Sequence, residues 1–285
     1  MNEQALKDRI HNIAKEKGIR FNECWKQLLL ARFLARLSHS NLTDKFIFKG
    51  GYLLTFILDL GRETTDLDFL VRKLSISENE ISNYIIKIAA INLKDGFIFS
   101  YDSIEPLDQP HMKYSGFRIN LNVEFNRMRD VVVIDIGVGD IVQPEEKLLP
   151  MIEYKGKPLF ENEISLLVYP PETIFAEKFE TTISKGSSNS RMKDYHDLLL
   201  LSRCPELFQI DVFNEAIKDT FENRGTSVEF INFSSDDLKP LQIKWNSHLK
   251  ALGDKSTELN IPNNIQEVIK EINLFLVRMN ITNLA

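Results

Sequence analysis

Cysteine is almost missing from this chain. Cys24 and Cys204 are isolated, form no CxxC pair and have no histidine at metal-ligand spacing, so neither a disulfide framework nor a zinc site is indicated. A reducing, cytoplasmic compartment is the expected setting. Long apolar runs are lacking too. None approaches the ~20 residues needed to span a bilayer, and the opening segment MNEQALKDRIHNIAKEKG is charged throughout, so neither membrane insertion nor export is expected. There is no basic excess either. Lys and Arg number 35 against 41 Asp and Glu, and the net charge of −6 excludes a protein that coats nucleic acid by bulk electrostatics, leaving room only for a local basic site. The five histidines are scattered, which gives little support to a histidine nucleophile or a histidine metal cage.

What the chain does have is length and apolar content. Its 285 residues, 43% hydrophobic, suffice for one large or two moderate domains with real cores. Residues 4–38 carry Trp25, Leu28, Leu29, Phe33, Leu34 and Leu37 at helical spacing, which predicts one or two helices. KFIFKGG reads as a short strand ending in a glycine turn, and YLLTFIL as an apolar helix running up to Gly61. TTDLDFLVRKL alternates Leu67, Phe69 and Val71 against Asp66 and Asp68, the pattern of a half-buried strand. Residues 77–94 read as helix, and FIFSYDSIE, YSGFRINLNVEF and VVVIDIGVGD as further strands of a mixed or antiparallel sheet. After Pro144 a loop-rich stretch is expected as far as Pro170 and Pro171, with helices from there onward. The expected division is a sheet domain with N-terminal helices over 1–165 and a helical domain over 166–285.

Four constellations carry chemistry. Gly50-Gly51, followed by Asp66-Leu67-Asp68, places a turn whose backbone N–H groups can approach phosphate ahead of two carboxylates on one strand face, the oxygen ligands that Mg²⁺ prefers. Asp-x-Asp alone is common on a solvated strand and Gly-Gly alone is only a turn. Their strand, turn, helix, strand order is what points to phosphoryl transfer. Asp135 follows a strongly apolar strand; it is either a further metal ligand or an exposed strand-end acid before a turn at Gly137. Asp140, beyond that turn, reads as a loop cap. In PPETIFAEKFETTI, Pro171 opens a helix with Ile174, Phe175, Phe179 and Thr182 inward; Lys178, at the border of that stripe, either snorkels to solvent or offers a point charge to a triphosphate. In NSRMKDYHDLLLL, Asn189 or Ser190 can cap a helix whose positions 194, 197, 198 and 201 form one stripe, so Asp194 and Asp197 continue an apolar face, with Arg191 and Lys193 adding positive charge.

The segments FIFKGGYLLTFIL, RETTDLDFL, VVVIDIGVGDIVQP, YPPETIFAEKFETTI and NSRMKDYHDL, with a weaker echo in DTFENRGT, run in the order of the AbiEii/AbiGii toxin family of nucleotidyltransferases, which this chain resembles. That family is a branch of the DNA polymerase β-like superfamily. The resemblance implies an α+β protein, with a polymerase β-like mixed-sheet domain and a C-terminal helical domain that completes the site. It assigns Asp66, Asp68 and Asp135 to Mg²⁺ or Mn²⁺, and Asp66, Asp68, Lys178 and Asp194 to catalysis. Gly50, Gly51, Thr65, Lys178 and Lys193 are then the nucleotide-binding residues. Gly51 departs from the family pattern, which often has serine there, and so lacks a hydroxyl for phosphate. The implied substrate is an NTP, the implied acceptor RNA and above all tRNA, and the implied counterpart a cognate antitoxin. Two rivals remain at this level: transfer to a protein or small molecule, and a non-catalytic member of the fold that binds RNA or a partner.

Overall fold

The structure is a computed structural model that describes residues 1–72, 77–107 and 116–281; Lys73 and Leu74 of the expected TTDLDFLVRKL strand, and Tyr114 and Ser115 of YSGFRINLNVEF, lie outside the described residues. The chain divides into two compact units. The first contains 1–57, 63–139 and 144–169, and the second 58–62, 140–143 and 170–285.

The first unit opens with the helices expected over 4–38: α1 (Glu3–Lys17), capped by the Asn2 side chain, and α2 (Phe21–Ser38). There follow β1 (Phe46–Lys49), α3 (Gly50–Leu54), β2 (Asp66–Val71), α4 (Glu78–Ala89), β3 (Phe97–Leu107), β4 (Gly116–Phe125) and β5 (Met128–Val138). The helix expected up to Gly61 stops at Leu54. Beyond it the amides of Thr55, Phe56 and Ile57 bond three residues back, tightening the chain into turns.

The stretch after Pro144 is not loop. It holds β6 (Glu145–Pro150), the two-residue strands β7 (Glu153–Tyr154) and β8 (Lys157–Pro158), and β9 (Glu163–Val168), and residue 165 lies inside β9. Prolines and Gly156 punctuate this stretch in the sequence, yet Pro150 ends an edge strand, where a missing N–H costs nothing. The main sheet has the order β3-β4-β5-β2-β1-β9-β6. Pairs β2/β5 and β1/β9 are parallel and the others antiparallel, so the sheet is mixed.

Period-two alternation decides which face is buried. Leu67 and Phe69 on β2, Ile119, Leu121 and Val123 on β4, and Val132, Ile134 and Ile136 on β5 are all sealed from solvent. Helix α2 packs on this face, with Phe33 6.4 Å from Phe69 and 6.1 Å from Phe99 between ring centroids. Arg32 and Arg36 of α2 are themselves buried and reach Asp95 at 2.7–2.9 Å, which fixes α2 against the start of β3. The acids at 66, 68 and 135 therefore point away from the core.

The second unit is helical: α5 (Pro171–Lys185), α6 (Met192–Ser202), α7 (Ile210–Arg224), α8 (Ser235–Leu252), α9 (Lys255–Glu258) and α10 (Ile265–Arg278). Its centre is a phenylalanine cluster in which Phe175 lies 5.1 Å from Phe213 and 5.2 Å from Phe275. Pro171 opens α5, and Ile174, Phe175, Phe179 and Thr182 are buried, as the spacing predicts. Among the described residues no helix is long and apolar enough to cross a membrane.

Candidate functional site

Strand register brings the acids of the first unit together. Lys49 pairs with Asp68, Asp68 with Asp135, Asp135 with Arg118 and Arg118 with Glu105, so one row of ionisable side chains crosses β1, β2, β5, β4 and β3 on a single face. Neighbouring strands stand about 4.8 Å apart, which makes each member of the row a direct neighbour of the next. Asp66, two residues before Asp68 and half-buried like it, shares that face.

Gly50 is fitted to the row. Its φ is +78°, and a Cβ there would lie 1.9 Å from Asp68 Oδ2, so only glycine lets the chain turn this close to the carboxylate. The Gly-Gly and Asp-x-Asp motifs are thus one structural feature. Gly51 follows in the first turn of α3, and Thr65 is exposed just before β2.

Asp135 corrects one expectation. It does not end its strand, because β5 continues through Gly137 to Val138. Its protein partner is Arg118, which grips it with Nε on Oδ1 at 2.8 Å and Nη2 on Oδ2 at 2.7 Å. The hydrogen bond to Asp135 holds the Arg118 guanidinium above its ordinary pKa, against partial burial, with Asp66 and Glu105 adding attraction. Lys49, the last residue of β1, reaches Tyr169 just after β9, with Nζ 3.3 Å from the phenol oxygen and 4.8 Å from the ring centre.

Hard carboxylate oxygens suit Mg²⁺ or Mn²⁺, and Asp66 with Asp68 fits that demand by sharing a face with the Gly50 turn. Among the described residues no three His, Cys, Asp or Glu side chains are grouped so as to hold a metal as they stand. Both Asp135 oxygens are turned to Arg118 instead.

Lys178 and Asp194 lie together in the second unit, within a chain of ion pairs. Asp197 Oδ2 sits 2.7 Å from Lys178 Nζ and 2.6 Å from Arg62 Nη2, Asp194 Oδ1 is 3.2 Å from Lys178, and Asp194 Oδ2 is 3.0 Å from Arg191 Nε. Lys178 therefore does not snorkel. Burial alone would lower its pKa, but the Asp197 and Asp194 carboxylates outweigh it and hold the ammonium above its ordinary range. Burial would likewise raise Asp197, and Lys178 and Arg62 drive it well below the carboxylate range instead.

The α6 stripe of Asp194, Asp197, Leu198 and Leu201 is buried as expected, whereas Lys193 is exposed. The cap differs from expectation: α6 starts at Met192, and the Asn189 side chain accepts the Arg191 N–H at 2.8 Å instead of capping the helix. Asp140 is an ion-pair member instead of a loop cap, 3.1 Å from Arg224, which also holds Glu180 at 2.8 Å.

Lys49, Arg62 and Arg118 lie within FIFKGGYLLTFIL, RETTDLDFL and YSGFRINLNVEF, but nothing local marks their partners, which lie 120, 135 and 17 residues away. Alternation along FRINLNVEF does put Arg118 on the face away from Ile119 and Leu121. The acid it meets could not be read from that alternation.

A glycine turn against an Asp-x-Asp strand in a mixed sheet reaches the class of nucleotidyltransferase-type domains. The sequence matches the family model "Nucleotidyl transferase AbiEii toxin, Type IV TA system" over residues 32–270, and the chain belongs to that family. The family's toxin–antitoxin description implies an antitoxin partner. Among solved structures, a candidate nucleotidyltransferase from H. pylori is 16% identical, aligned over 89% of this chain and 94% of its own with a TM-score of 0.45. JHP933 from Helicobacter pylori is also 16% identical, over 89% of this chain and 91% of its own, with a TM-score of 0.46. A comparison with curated proteins returned no match.

Proposed function

We propose that this protein transfers a nucleotide from an NTP to RNA, tRNA above all, and that it acts as the toxin of a toxin–antitoxin or phage-abortive pair. The observation that carries this reading is the fit of Gly50 against Asp68 beside Asp66, in a chain of the AbiEii family. A turn that must be glycine, set against a carboxylate facing away from the core, is hard to explain as packing alone.

In this reading Asp66 and Asp68 hold Mg²⁺ or Mn²⁺, with Asp135 as the third carboxylate. The bound cation supplies neutralisation of the triphosphate and of the departing pyrophosphate. Gly50 and Gly51 offer backbone N–H groups to phosphate, and Thr65 and Lys193 border the nucleotide. Lys178 carries charge to the triphosphate, and Asp194 orients it. The ion pairs that Lys178 makes with Asp194 and Asp197 support a fixed cation in place of a mobile surface lysine. Catalysis on these terms is positioning and electrostatics.

The test is incubation of the protein with each labelled NTP, Mg²⁺ and total RNA or cell lysate, followed by nuclease or protease digestion. Label that one NTP places in a nuclease-sensitive product is the expected result. Label in a protease-sensitive product points to a protein acceptor, and no label in any product removes the transferase reading.

A further inference from the structure

The row across the sheet contains two cations among its acids, and one of them stands where a metal ligand is expected to be free. Arg118 engages both oxygens of Asp135 in a two-pronged, charge-assisted pair, the strongest geometry open to a guanidinium and a carboxylate. Asp135 in turn is the register neighbour of Asp68, so Asp66, Asp68 and Asp135 concentrate negative charge on one face. Three such groups repel one another unless a cation sits among them. Arg118 supplies such a cation at Asp135, and Lys49 is the register neighbour of Asp68.

We propose that Arg118 is a built-in counter-ion that competes with the divalent cation for Asp135: it grips the carboxylate in the metal-free protein and releases it when Asp66, Asp68 and Asp135 take the metal. This inference rests on the metal-site reading above. Two observations and one electrostatic argument make exchange feasible. The Arg118 side chain is 39% exposed, so it can leave into water without a desolvated intermediate. A second acid, Glu105, is its register partner on the other side, so the guanidinium has a carboxylate neighbour in either position. A metal ion at Asp66 and Asp68 also adds positive charge beside Arg118, which weakens the grip as the third ligand is needed.

Mn²⁺ binding to the full chain, followed by loss of the free-ion paramagnetic resonance signal, tests this without any substrate. Arg118→Gln is expected to bind Mn²⁺ on the order of tenfold more tightly than wild type, the scale of one charge-assisted pair. Arg118→Lys keeps the charge but loses the fork, and falls between the two. In an Asp135→Asn background, where nothing remains to compete for, Arg118→Gln should leave Mn²⁺ affinity unchanged. If Arg118→Gln tightens binding equally in both backgrounds, Arg118 acts only as a nearby positive charge and the exchange is overturned. Unchanged affinity in folded Arg118→Gln and Arg118→Lys overturns it as well. Asp68→Asn separates the two levels. If that variant binds Mn²⁺ as wild type does, the metal-site reading itself fails and the exchange falls with it.

Discussion

Gly50 shows how one residue can be constrained twice, by backbone and by neighbour. A φ of +78° is strained for any L side chain, and the missing Cβ is the space that Asp68 Oδ2 occupies. Gly50→Ala must therefore displace the carboxylate or distort the turn. The expected outcome is a loss of about 1–3 kcal/mol in stability together with a large drop in transfer, read by denaturant unfolding and by the labelling assay. Wild-type activity in the folded variant would detach the glycine turn from the site. Lys178 makes the second prediction at this scale. Its charge is assigned to the triphosphate, so Lys178→Ala should raise KM for the NTP and leave KM for the acceptor nearly unchanged. Separate titration of the two substrates decides it, and equal effects on both would mark a structural lysine.

Helix α6 shows the same logic at the level of an element. Apart from Lys193 it is buried, and its acids are tolerable only because α5 and the segment at Arg62 bring cations to meet them. Removing one partner of a buried ion pair typically costs about 3–5 kcal/mol, because the other charge is left without compensation. Asp197→Ala is expected to lose that much, seen as an early unfolding transition. A loss under about 1 kcal/mol would mean that the pair is solvated in practice. The depressed Asp197 adds a pH effect: its contribution is complete above the unfolded carboxylate pKa of ~3.9 and is lost as pH falls below it.

A second pH effect lies between α6 and α8, where the His196 and His248 rings meet with centroids 5.0 Å apart. Burial first, then His196 and Arg62, push His248 down to about 4, with Asp197 opposing. The unfolded imidazole binds its proton near ~6.5. Between those values only the unfolded chain gains a proton, so stability is full above ~6.5 and falls as pH drops toward 4. His196 is depressed by burial in the same sense. His248→Gln should flatten this decline in part, measured by thermal melts from pH 7.5 to 4.5, and an unaltered slope would remove His248 from the account.

Over the whole molecule, what could be read in advance follows the range of the physics involved. The alternation that sets Asp66 and Asp68 apart from Leu67 and Phe69 is local, a period of two within six residues, and it survives folding unchanged. The burial of the Ile174 to Thr182 face of α5 is equally local. Strand β9 was hidden because prolines and Gly156 punctuate its surroundings, although its Ile164, Leu166 and Val168 alternate in the same way. Pairings across the chain could not be read at all. Arg62 meets Asp197 at a separation of 135 residues, which no window of sequence spans, and Asp135 meets Arg118, 17 residues away, through a strand register that alternation alone does not set. The guanidinium that Asp135 meets comes from the neighbouring strand.

In the proposed reaction, transfer by this AbiEii-family chain depends on the Asp66 and Asp68 pair. Because both acids point away from the core, Asp68→Asn should leave the fold intact. The most direct measurement is therefore the rate of label transfer from NTP to RNA by wild type and by Asp68→Asn, at equal concentration and with matching thermal melts. Removal of a group that acts only in the reaction predicts transfer lowered by at least about a hundredfold at an unchanged melting temperature. Full transfer by a folded Asp68→Asn protein would contradict it.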